Sequence, residues 1–212
     1  MTKVIVIAGG TGILGKAIVT AFEPEYISNE VQLAIISKHA KREETPNRLL
    51  FSGDLLSSRD CSYFINKVNQ KCGHIDTLIN CVGGVGCKPF LKYSISDYDC
   101  LFDLNVKTHW MLAKAAIPLM KKQKYGQIIT VGSTRAITSA PNKSLYSMTK
   151  FALRAMNESI NIEFNQYGIY STLICPGNFK TVSVESIAST IKHIISLPMS
   201  ANIPIVQIGG QL

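Results

Sequence analysis

The fold of this chain is decided close to its start, by the sequence VIVIAGGTGILGKAIV over residues 4–19. Val4–Ala8 is a run of apolar, mostly β-branched residues, which predicts a buried strand. Glycines at positions 9, 12 and 15 follow at once, and they allow a tight turn before the helix-forming residues that come next. A strand, a glycine-rich turn and a helix in this order predict the first βα unit of a parallel α/β sheet.

The rest of the sequence repeats this alternation. Seven short runs predict strands, at Val4–Ala8, Val31–Ile36, Leu49–Ser52, Thr77–Val82, Gln127–Val131, Ile169–Ile174 and Ile203–Gln207. The segments between them predict helices, near 13–22, 57–70, 97–122, 144–166 and 184–196. Several strands are almost wholly apolar, as in sheets that helices cover on both faces. We therefore predict one domain over residues 1–212, an α/β Rossmann-like, doubly wound parallel sheet of about seven strands flanked by helices.

Size and composition agree with a single folded domain. The chain has 212 residues, of which 46% are hydrophobic and 17% are charged, which argues against disorder. No apolar run approaches the roughly 18–20 residues of a membrane-spanning helix. The start of the chain has neither the long apolar stretch nor the cleavage site of a signal peptide. We therefore expect a cytoplasmic protein with no membrane partner.

The net charge of +8 could attract a polyanion or a small phosphorylated ligand. The basic residues are scattered, however, and only Lys121, Lys122 and Lys124 form a dense cluster, which is typical of a solvated helix end. Nucleic-acid binding usually needs a basic stripe on a recognisable module, and none is evident. We expect no nucleic-acid partner.

Cysteine and histidine spacing argues against a metal site. The six cysteines include no Cys-x-x-Cys pair, and the four histidines include no pair four residues apart. The expectation is therefore no bound metal, and reduced, mostly buried thiols.

The glycine-rich turn points to a dinucleotide. Free amides at the start of the following helix, with the positive end of its dipole, can hold a pyrophosphate. The residues expected to contact the cofactor here are Gly9, Thr11, Gly12, Ile13, Leu14 and Gly15.

The end of the second predicted strand bears on the choice of cofactor. An acidic residue about 20 positions after the glycines would bind the ribose 2′-hydroxyl of NAD. This chain has Ser37 and Lys38 there, a hydroxyl and a cation that suit a 2′-phosphate. We expect NADP(H) to be preferred, with NAD(H) as the alternative, and with Lys38 as a plain solvated loop residue as the competing interpretation.

A second motif lies on the helix predicted at 144–166. Tyr146 and Lys150 are four residues apart and share one helix face, and Ser144 is the expected N-cap. Ser133, just past a strand, lies 13 residues before Tyr146. With this spacing, the sequence resembles the short-chain dehydrogenase/reductase family, whose catalytic motif is Tyr-x-x-x-Lys with a preceding Ser.

Short motifs of this kind also occur by chance. The chain contains a second Tyr-x-x-x-Lys, at Tyr63 and Lys67, and the residue 13 positions before that tyrosine is Leu50, which has no hydroxyl. We therefore interpret Tyr63 and Lys67 as a coincidental match.

Further matches follow in the order of the family's motifs, from Val4 to about Thr181. Asp54 and the adjacent Leu55 stand where the family contacts adenine, and Asn105 matches the fourth member of its catalytic tetrad. The resemblance also implies cofactor contacts at Asn80, Val82, Gly83, Pro176, Gly177 and Thr181. The chain departs from the family's pattern at Cys81, where a second Asn is usual, and we expect this thiol to be a buried packing residue.

What the resemblance implies is an enzyme. Tyr146 would relay a proton, and Lys150 would shift the tyrosine pKa toward the working range and bind the nicotinamide ribose. Ser133 would orient the substrate oxygen, and Asn105 would hold a water that links Lys150 to solvent. The expected function is an NADP(H)-dependent oxidoreductase that transfers hydride between nicotinamide and a carbonyl or secondary alcohol. Candidate substrates are a 3-oxoacyl thioester or a small ketone.

One feature favours an alternative, an NADP(H)-binding regulatory or sensor protein with little turnover. After Thr181 the sequence has room for one helix and one strand, so the substrate lid that the family carries there is nearly absent. A closed site that excludes water normally helps such chemistry.

The resemblance also bears on assembly. The family commonly associates through the helices that correspond to 105–122 and 144–166. We therefore expect a homodimer or a homotetramer.

Overall fold

The computed structural model describes residues 2–38, 40–179, 181–198 and 201–209. Its centre is one eight-stranded sheet in the order β3-β4-β2-β1-β5-β6-β7-β8. The strands are β1 (Lys3–Ala8), β2 (Val31–Ser37), β3 (Glu43–Glu44), β4 (Arg48–Ser52), β5 (Thr77–Asn80), β6 (Gly126–Val131), β7 (Ile169–Pro176) and β8 (Ile205–Ile208). The helices are α1 (Ile13–Ala21), α2 (Glu23–Ile27), α3 (Ser58–Cys72), α4 (Ile95–Phe102), α5 (Thr108–Gln123), α6 (Ser144–Phe164) and α7 (Val184–Ser196).

The predicted fold class is confirmed. Seven of the strands are parallel and correspond to the seven predicted runs, and the helices alternate with them. The eighth strand, β3, consists of two exposed glutamates that pair antiparallel with β4 at the edge of the sheet. Its charged residues give no apolar signal, and charge at a sheet edge discourages pairing with other chains.

Two apolar layers hold the helices on the two faces of the sheet. Alternate residues of β1 belong to different layers, because successive strand side chains point to opposite faces. Val4 and Val6 pack with α3 and α5, whereas Ile5 and Ile7 pack with α1 and α7. Both faces are therefore buried, as the near-continuous apolar strands predict.

Strand order places the site. The chain runs outward from β1 to β2 and β4, then returns to pair β5 with the other side of β1. In open α/β sheets, ligands bind outside the carboxyl ends of the strands at such a reversal. The carboxyl ends of β1 and β5 are Ala8 and Asn80, the residues that lead into the glycine turn and into Cys81.

Two helix predictions need correction. The helix expected over 97–122 is α4 and α5 joined by a π-helical turn at Asp103–Lys107, which contains Asn105. Helix α6 has Lys143 rather than Ser144 at its N-cap, with no side-chain cap, and the Ser144 hydroxyl is buried without a hydrogen bond within the described residues. Neither the π-helical turn nor the position of the N-cap changes the spacing of the apolar residues, so the sequence pattern could not show either of them.

No helix in the described ranges is both long enough and apolar enough to cross a membrane. All six cysteines are free. The expectation that most of them are buried is wrong, since only Cys61 and Cys175 are buried, while Cys87 and Cys100 are exposed.

Candidate active site

The glycine turn joins β1 to α1 through close backbone contacts. Gly9 has a φ of +78°, in the left-handed region that favours glycine. A Cβ on Gly15 would lie 2.2 Å from the Gly9 carbonyl oxygen, so the start of α1 packs directly on the turn. Helix α1 has Gly12 at its N-cap with no side-chain cap, so its first amides have no side-chain acceptor. Leu14 is buried in the core, and only its backbone can face a ligand.

The end of β2 lies beside this turn. The Ser37 hydroxyl is 2.5 Å from the Thr11 hydroxyl, a hydrogen bond that links the second strand to the glycine turn. Lys38 follows with an exposed side chain that makes no ion pair or hydrogen bond within the described residues. Its neighbour His39 lies outside the described residues. A hydroxyl pair and a free cation therefore stand where the sequence predicts recognition of the 2′-phosphate.

The end of β4 carries the predicted adenine contacts. Leu55 is buried, and the Asp54 carboxylate accepts a hydrogen bond of 3.0 Å from the Leu56 amide. The Asp54 amide in turn donates to the Asp60 carboxylate on α3 at 2.9 Å. The turn before α3 is thus fixed by two carboxylates, and Asp54 lies at the carboxyl edge of the sheet as predicted.

The end of β5 contacts the end of the neighbouring strand β1. The Asn80 side-chain oxygen accepts from the Val82 amide at 3.1 Å, while its buried Nδ2 has no partner within the described residues. The Cys81 thiol donates to the Ala8 carbonyl at 2.8 Å, and burial raises its pKa to about 12. Such a thiol is unreactive at neutral pH, which agrees with the packing role expected for Cys81.

Asn105 fixes the next part of this segment. Its side chain is fully buried on the π-helical turn, a feature that is frequent at functional sites. The Asn105 Oδ1 accepts from the Gly84 amide at 2.7 Å, and its Nδ2 donates to the Gly84 carbonyl at 2.9 Å and to the Thr149 hydroxyl at 3.0 Å. Asn105 therefore ties the Gly83–Gly84 segment to α6. Both of its donors are used, which leaves only an Oδ1 lone pair for the predicted water.

The structure brings Ser133 and Tyr146 together. Ser133 lies two residues past the end of β6, and its side chain lies close enough to the half-buried Tyr146 hydroxyl to influence its titration. Burial raises the pKa of Tyr146, and the Ser133 hydroxyl and the charge of Arg135 partly offset that rise. The pair has the hydroxyl groups and the spacing needed to hold and protonate a substrate oxygen.

Lys150 lies behind Tyr146 on the same face of α6. Its side chain is 4% exposed, and its ammonium group donates to the Val131 carbonyl at 3.2 Å. Burial lowers the pKa of Lys150 to about 8. The ammonium group lies 5.7 Å from the centre of the Tyr146 ring, and the site that a Gly83 Cβ would occupy is 3.4 Å from it. Lys150 therefore connects the tyrosine to the segment after β5.

The expectation that Lys150 lowers the tyrosine pKa finds no support in this geometry. The groups that lower it are Ser133 and Arg135, while the Lys150 ammonium is directed to the end of β6.

The residues at and after the end of β7 lie at the carboxyl edge of the sheet. The Gly177 amide donates to Ile208 at 3.0 Å, which joins the end of β7 to the end of β8. The exposed Thr181 bonds through both its amide and its hydroxyl to the Asn178 carbonyl. Pro176, Gly177 and Thr181 thus lie at the same edge as the glycine turn, but the Thr181 hydroxyl has a local partner.

Comparison with known proteins agrees with this arrangement. The sequence profile of the short chain dehydrogenases matches residues 3–192. The chain belongs to the short chain dehydrogenase family. The second Tyr-x-x-x-Lys copy has no counterpart to the catalytic geometry, because Tyr63 is largely exposed on α3 and Lys67 pairs with Glu44 at 3.2 Å.

Individual relatives share parts of this chain. The oxidoreductase UcpA of Escherichia coli K12 is 36% identical over 125 residues, which are 58% of this chain and 48% of the relative, so the chain spans about half the length of this relative. An uncharacterized oxidoreductase of Thermotoga maritima is 26% identical over 221 residues, with 99% of this chain and 85% of the relative covered.

Solved structures of short chain dehydrogenases share the fold at lower identity. ElxO with NADP bound has a TM-score of 0.87 at 20% identity, with 98% of this chain and 97% of that chain covered. The NADH-dependent reductase A1-R′ complexed with NAD has a TM-score of 0.82 at 20% identity, with 97% and 94% covered. Serine dehydrogenase from Escherichia coli has a TM-score of 0.87 at 21% identity, with 97% and 96% covered.

Two residues of the site were missed by the sequence reasoning. His109 is 2% exposed, its Nε2 lies 2.9 Å from the Val82 carbonyl, and burial and the nearby Lys150 charge lower its pKa to about 3. A neutral His109 donates from Nε2 and holds the segment after β5. Its position four residues after Asn105, on one helix face, was the available signal. The second residue that the sequence reasoning missed is Arg135, which lies two residues after Ser133.

Proposed function

We propose that this chain is an oxidoreductase that transfers hydride between the nicotinamide of NADP(H) and the carbon of a carbonyl or secondary alcohol. The observation that carries the proposal is the cluster of Ser133, Tyr146 and Lys150 at the carboxyl edge of the sheet. The Ser133 and Tyr146 hydroxyls are close enough for Ser133 to lower the pKa of the tyrosine, and a lysine that is 4% exposed lies behind them. A protein that only bound a nucleotide would have no need of a serine hydroxyl and a tyrosine hydroxyl placed together in this way.

Each residue of the cluster has a chemical task. Ser133 holds the substrate oxygen beside Tyr146. Because its pKa is raised, Tyr146 is protonated at neutral pH and can donate its proton to that oxygen during reduction. Positive charge on Arg135, which lowers the pKa of Tyr146, stabilises the phenolate that remains.

The residues at the edge of the sheet fit a nicotinamide dinucleotide. Gly9 and Gly15 leave no room for side chains where the backbone must approach a pyrophosphate, and the buried Nδ2 of Asn80 is a donor without a partner in the described part of the chain. The cofactor would supply or accept the hydride. The residues proposed to hold it are Gly9, Thr11, Gly12, Ile13, Leu14, Gly15, Ser37, Lys38, Asp54, Leu55, Asn80, Val82, Gly83, Tyr146, Lys150, Pro176, Gly177 and Thr181.

We infer that NADP(H) is preferred over NAD(H). The support is Lys38, whose exposed ammonium group has no protein acceptor in the described ranges, beside the hydroxyls of Thr11 and Ser37. A carboxylate at the end of β2 would repel a 2′-phosphate, and the described residues Ile36–Lys38 include none. Initial rates with both cofactors test the preference. Equal or better use of NADH contradicts it.

A screen of NADPH oxidation against a panel of ketones and 3-oxoacyl thioesters tests the catalytic proposal. Turnover that requires Tyr146 supports it.

The second candidate function is an NADP(H)-binding regulator with little turnover. It is favoured by the short connection between β7 and β8, which contains one helix, α7, among its described residues. ElxO, bound to NADP, is matched over 97% of its chain, so a chain of similar extent can hold this cofactor. Tight NADPH binding without turnover of any compound in the panel would favour the regulator.

We also propose a homodimer or homotetramer in which α5 and α6 pack against another copy. Trp110 on α5 is 51% exposed, and Phe151 on α6 is 41% exposed. Between these helices lies a cavity of about 580 Å³ whose lining includes Trp110, Met156 and Phe164. A largely exposed aromatic side chain such as Trp110 beside an apolar groove is typical of an interaction surface. Light scattering that shows only monomer contradicts this proposal.

The partner of the site is then a small carbonyl or alcohol substrate, and we place the protein in the cytoplasm. A reducing compartment suits six free cysteines, two of which are exposed.

A further inference from the structure

The catalytic residues lie in a part of the chain that has no acidic residue. Residues 104–157 contain no Asp or Glu. They contain nine basic residues, at Lys107, Lys114, Lys121, Lys122, Lys124, Arg135, Lys143, Lys150 and Arg154. Two of these, Lys107 and Arg154, pair with acids just outside the stretch. The surplus positive charge of this protein therefore lies in the stretch of sequence that contains Ser133 and Tyr146, and Arg135 and Lys143 are its members nearest to these two residues in the sequence.

Arg135 is held next to the catalytic pair. Its amide donates to the Ser133 hydroxyl at 3.1 Å, and its Nη1 donates to the Ser139 carbonyl at 2.7 Å. The Ser139 hydroxyl donates to Ser147 on α6 at 3.0 Å, so the acceptor of this guanidinium is itself fixed. A guanidinium has five N–H donors. The other four have no hydrogen-bond partner in the described part of the chain, so Arg135 is oriented and still able to bind.

Two observations place this charge beside the reacting hydroxyl. Arg135 is the cation that acts on the titration of Tyr146. The Lys143 ammonium group lies 6.0 Å from the centre of the Tyr146 ring. Neither cation forms an ion pair within the described residues, in which the ion pairs involve other side chains.

The position of Lys143 is electrostatically unfavourable without a bound anion. It is the N-cap of the 21-residue helix α6, whose first turn has no acid and no side-chain cap. The N-terminus of a helix carries partial positive charge, so a cation there is repelled. An anion between Lys143 and Arg135 would relieve this repulsion.

We propose that the substrate carries a carboxylate and that Arg135 binds it, with Lys143 as a second positive contact. The substrate class is thus an oxo acid, or its hydroxy acid in the reverse direction. This inference rests on the proposed function, since it assigns the substrate of the same site. Guanidinium and carboxylate match in geometry and can form two parallel hydrogen bonds, which selects acids over neutral ketones.

The reaction balances with the cofactor already proposed. In reduction, hydride passes from the reduced nicotinamide to the carbonyl carbon, and the Tyr146 proton passes to the carbonyl oxygen. The products are the hydroxy acid and the oxidised nucleotide, and solvent returns the proton to Tyr146. The carboxylate takes no part in bond making and only fixes the position of the carbonyl.

The test compares acids with their neutral esters. Rates of NADPH oxidation are measured with 2-oxo, 4-oxo and 5-oxo acids of four to six carbons, with their methyl esters, and with dihydroxyacetone phosphate. We expect the best acid to exceed its ester in kcat/KM by about tenfold or more. In Arg135→Gln this ratio should fall to near one, and Arg135→Lys should restore part of it. Equal use of acid and ester by the unaltered protein overturns the inference, and preference for the phosphate overturns the carboxylate assignment.

The control removes the same charge elsewhere. Lys122 belongs to the acid-free stretch but lies at the far end of α5, 17 residues beyond Asn105 and about 25 Å along the helices. Lys122→Gln should keep the acid-to-ester ratio. A ratio that falls equally in Lys122→Gln and Arg135→Gln shows general electrostatic attraction and contradicts a specific site. Circular dichroism confirms that each variant is folded.

A binding measurement separates this inference from the proposed function. If neutral ketones react and acids have no advantage, the function stands and the inference fails. If nothing reacts, the proposed function fails, and the inference is decided by saturation-transfer NMR with butyrate and butyramide in the presence of NADPH. Stronger binding of butyrate that is lost in Arg135→Gln supports the anion site. Equal binding of both compounds refutes it.

Discussion

The two halves of the site are built in different ways. At the cofactor half, the carboxyl ends of β1, β2 and β4, the important features are backbone contacts and an absence of side-chain bulk, as at Gly15. At the catalytic half, around β6 and α6, they are buried polar side chains, as at Lys150. Adding atoms to the first half should therefore weaken cofactor binding. In the second half, removing a functional group while keeping the shape of the side chain should reduce catalysis.

The two halves also differ in charge. In the cofactor half, carboxylates fix the turn before α3, and the exposed ammonium group of Lys38 has no partner within the described residues. The catalytic half has unpaired cations and no acid over residues 104–157. The cofactor half therefore contains acidic side chains of its own, whereas in the catalytic half the proposed substrate carboxylate would be the partner of Arg135 and Lys143.

The largest expected effect is on catalysis, in Tyr146→Phe. The change keeps the ring and removes the hydroxyl proposed to donate the proton, so kcat for ketone reduction should fall by about 10³-fold or more, while NADPH affinity changes little. The control is Tyr63→Phe, in the second Tyr-x-x-x-Lys copy on α3, which should retain full activity. Steady-state kinetics and NADPH fluorescence titration measure both. A Tyr146→Phe protein that keeps most of its activity contradicts the assigned role.

Lys150→Met should separate activity from stability. We expect kcat to fall by about 10²–10³-fold. Because burial lowers the pKa of Lys150 to about 8, the charged form is disfavoured in the folded state, and an apolar side chain of similar length should raise the free energy of unfolding by on the order of 1–3 kcal/mol at pH 7.

The pH dependence of this stability gain is a sharper check. Below about pH 8, Lys150 is charged in both the folded and unfolded states, and the penalty of burying the charge is complete. As the pH rises above 8, the folded protein loses that proton first, so the advantage of Met should shrink and vanish near the pKa of an unfolded lysine. Urea unfolding at pH 7 and pH 9.5 measures this, with Lys67→Met as the control. A gain that is constant with pH would show that charge burial is not its cause.

Most of the fold was predictable because it depends on patterns that sequence displays directly. Apolar runs located the seven parallel strands, and the glycine spacing located the first turn. Strand β3 was not predictable, because Glu43 and Glu44 form a strand only through their pairing with β4. The π-helical turn at Asp103–Lys107 was also hidden, since its cause is the burial of Asn105 against Gly84 and not any local propensity.

The site was predictable where a motif fixes it, and less so where tertiary contacts decide. Ser133 and Tyr146 were paired through the resemblance to the family's motif spacing, and in the structure the Ser133 hydroxyl is close enough to act on the pKa of Tyr146. The partners of Lys150 and the role of His109 were not, because they depend on which carbonyls lie at the ends of β5 and β6. Arg135 was not recognised because no motif includes it, and only the structure shows that its guanidinium has no ion pair within the described residues.

Adding one methyl group to the glycine turn should weaken both cofactor binding and stability. In Gly15→Ala the new Cβ would lie 2.2 Å from the Gly9 carbonyl oxygen, so the turn or α1 must move. We expect NADPH affinity to fall by about 10–100-fold and the free energy of unfolding to fall by about 1–3 kcal/mol. In Gly12→Ala the new atom would lie 3.3 Å from the same oxygen, and both losses should be smaller. Calorimetric titration and urea unfolding provide the two readouts, and a larger loss in Gly12→Ala would contradict the packing argument.

The smallest expected effect concerns the choice between cofactors, in Lys38→Gln. The ammonium group of Lys38 is exposed, so its attraction for a 2′-phosphate is screened by solvent and should contribute about 1 kcal/mol, or several-fold in affinity. The KM for NADPH should rise several-fold while the KM for NADH stays constant, and the effect should fade at high salt. Lys41→Gln, which removes a nearby exposed charge, should leave both constants unchanged. If Lys38→Gln weakens NADH binding equally, Lys38 does not read the 2′-phosphate, and the selectivity of the cofactor half must lie in Thr11 and Ser37.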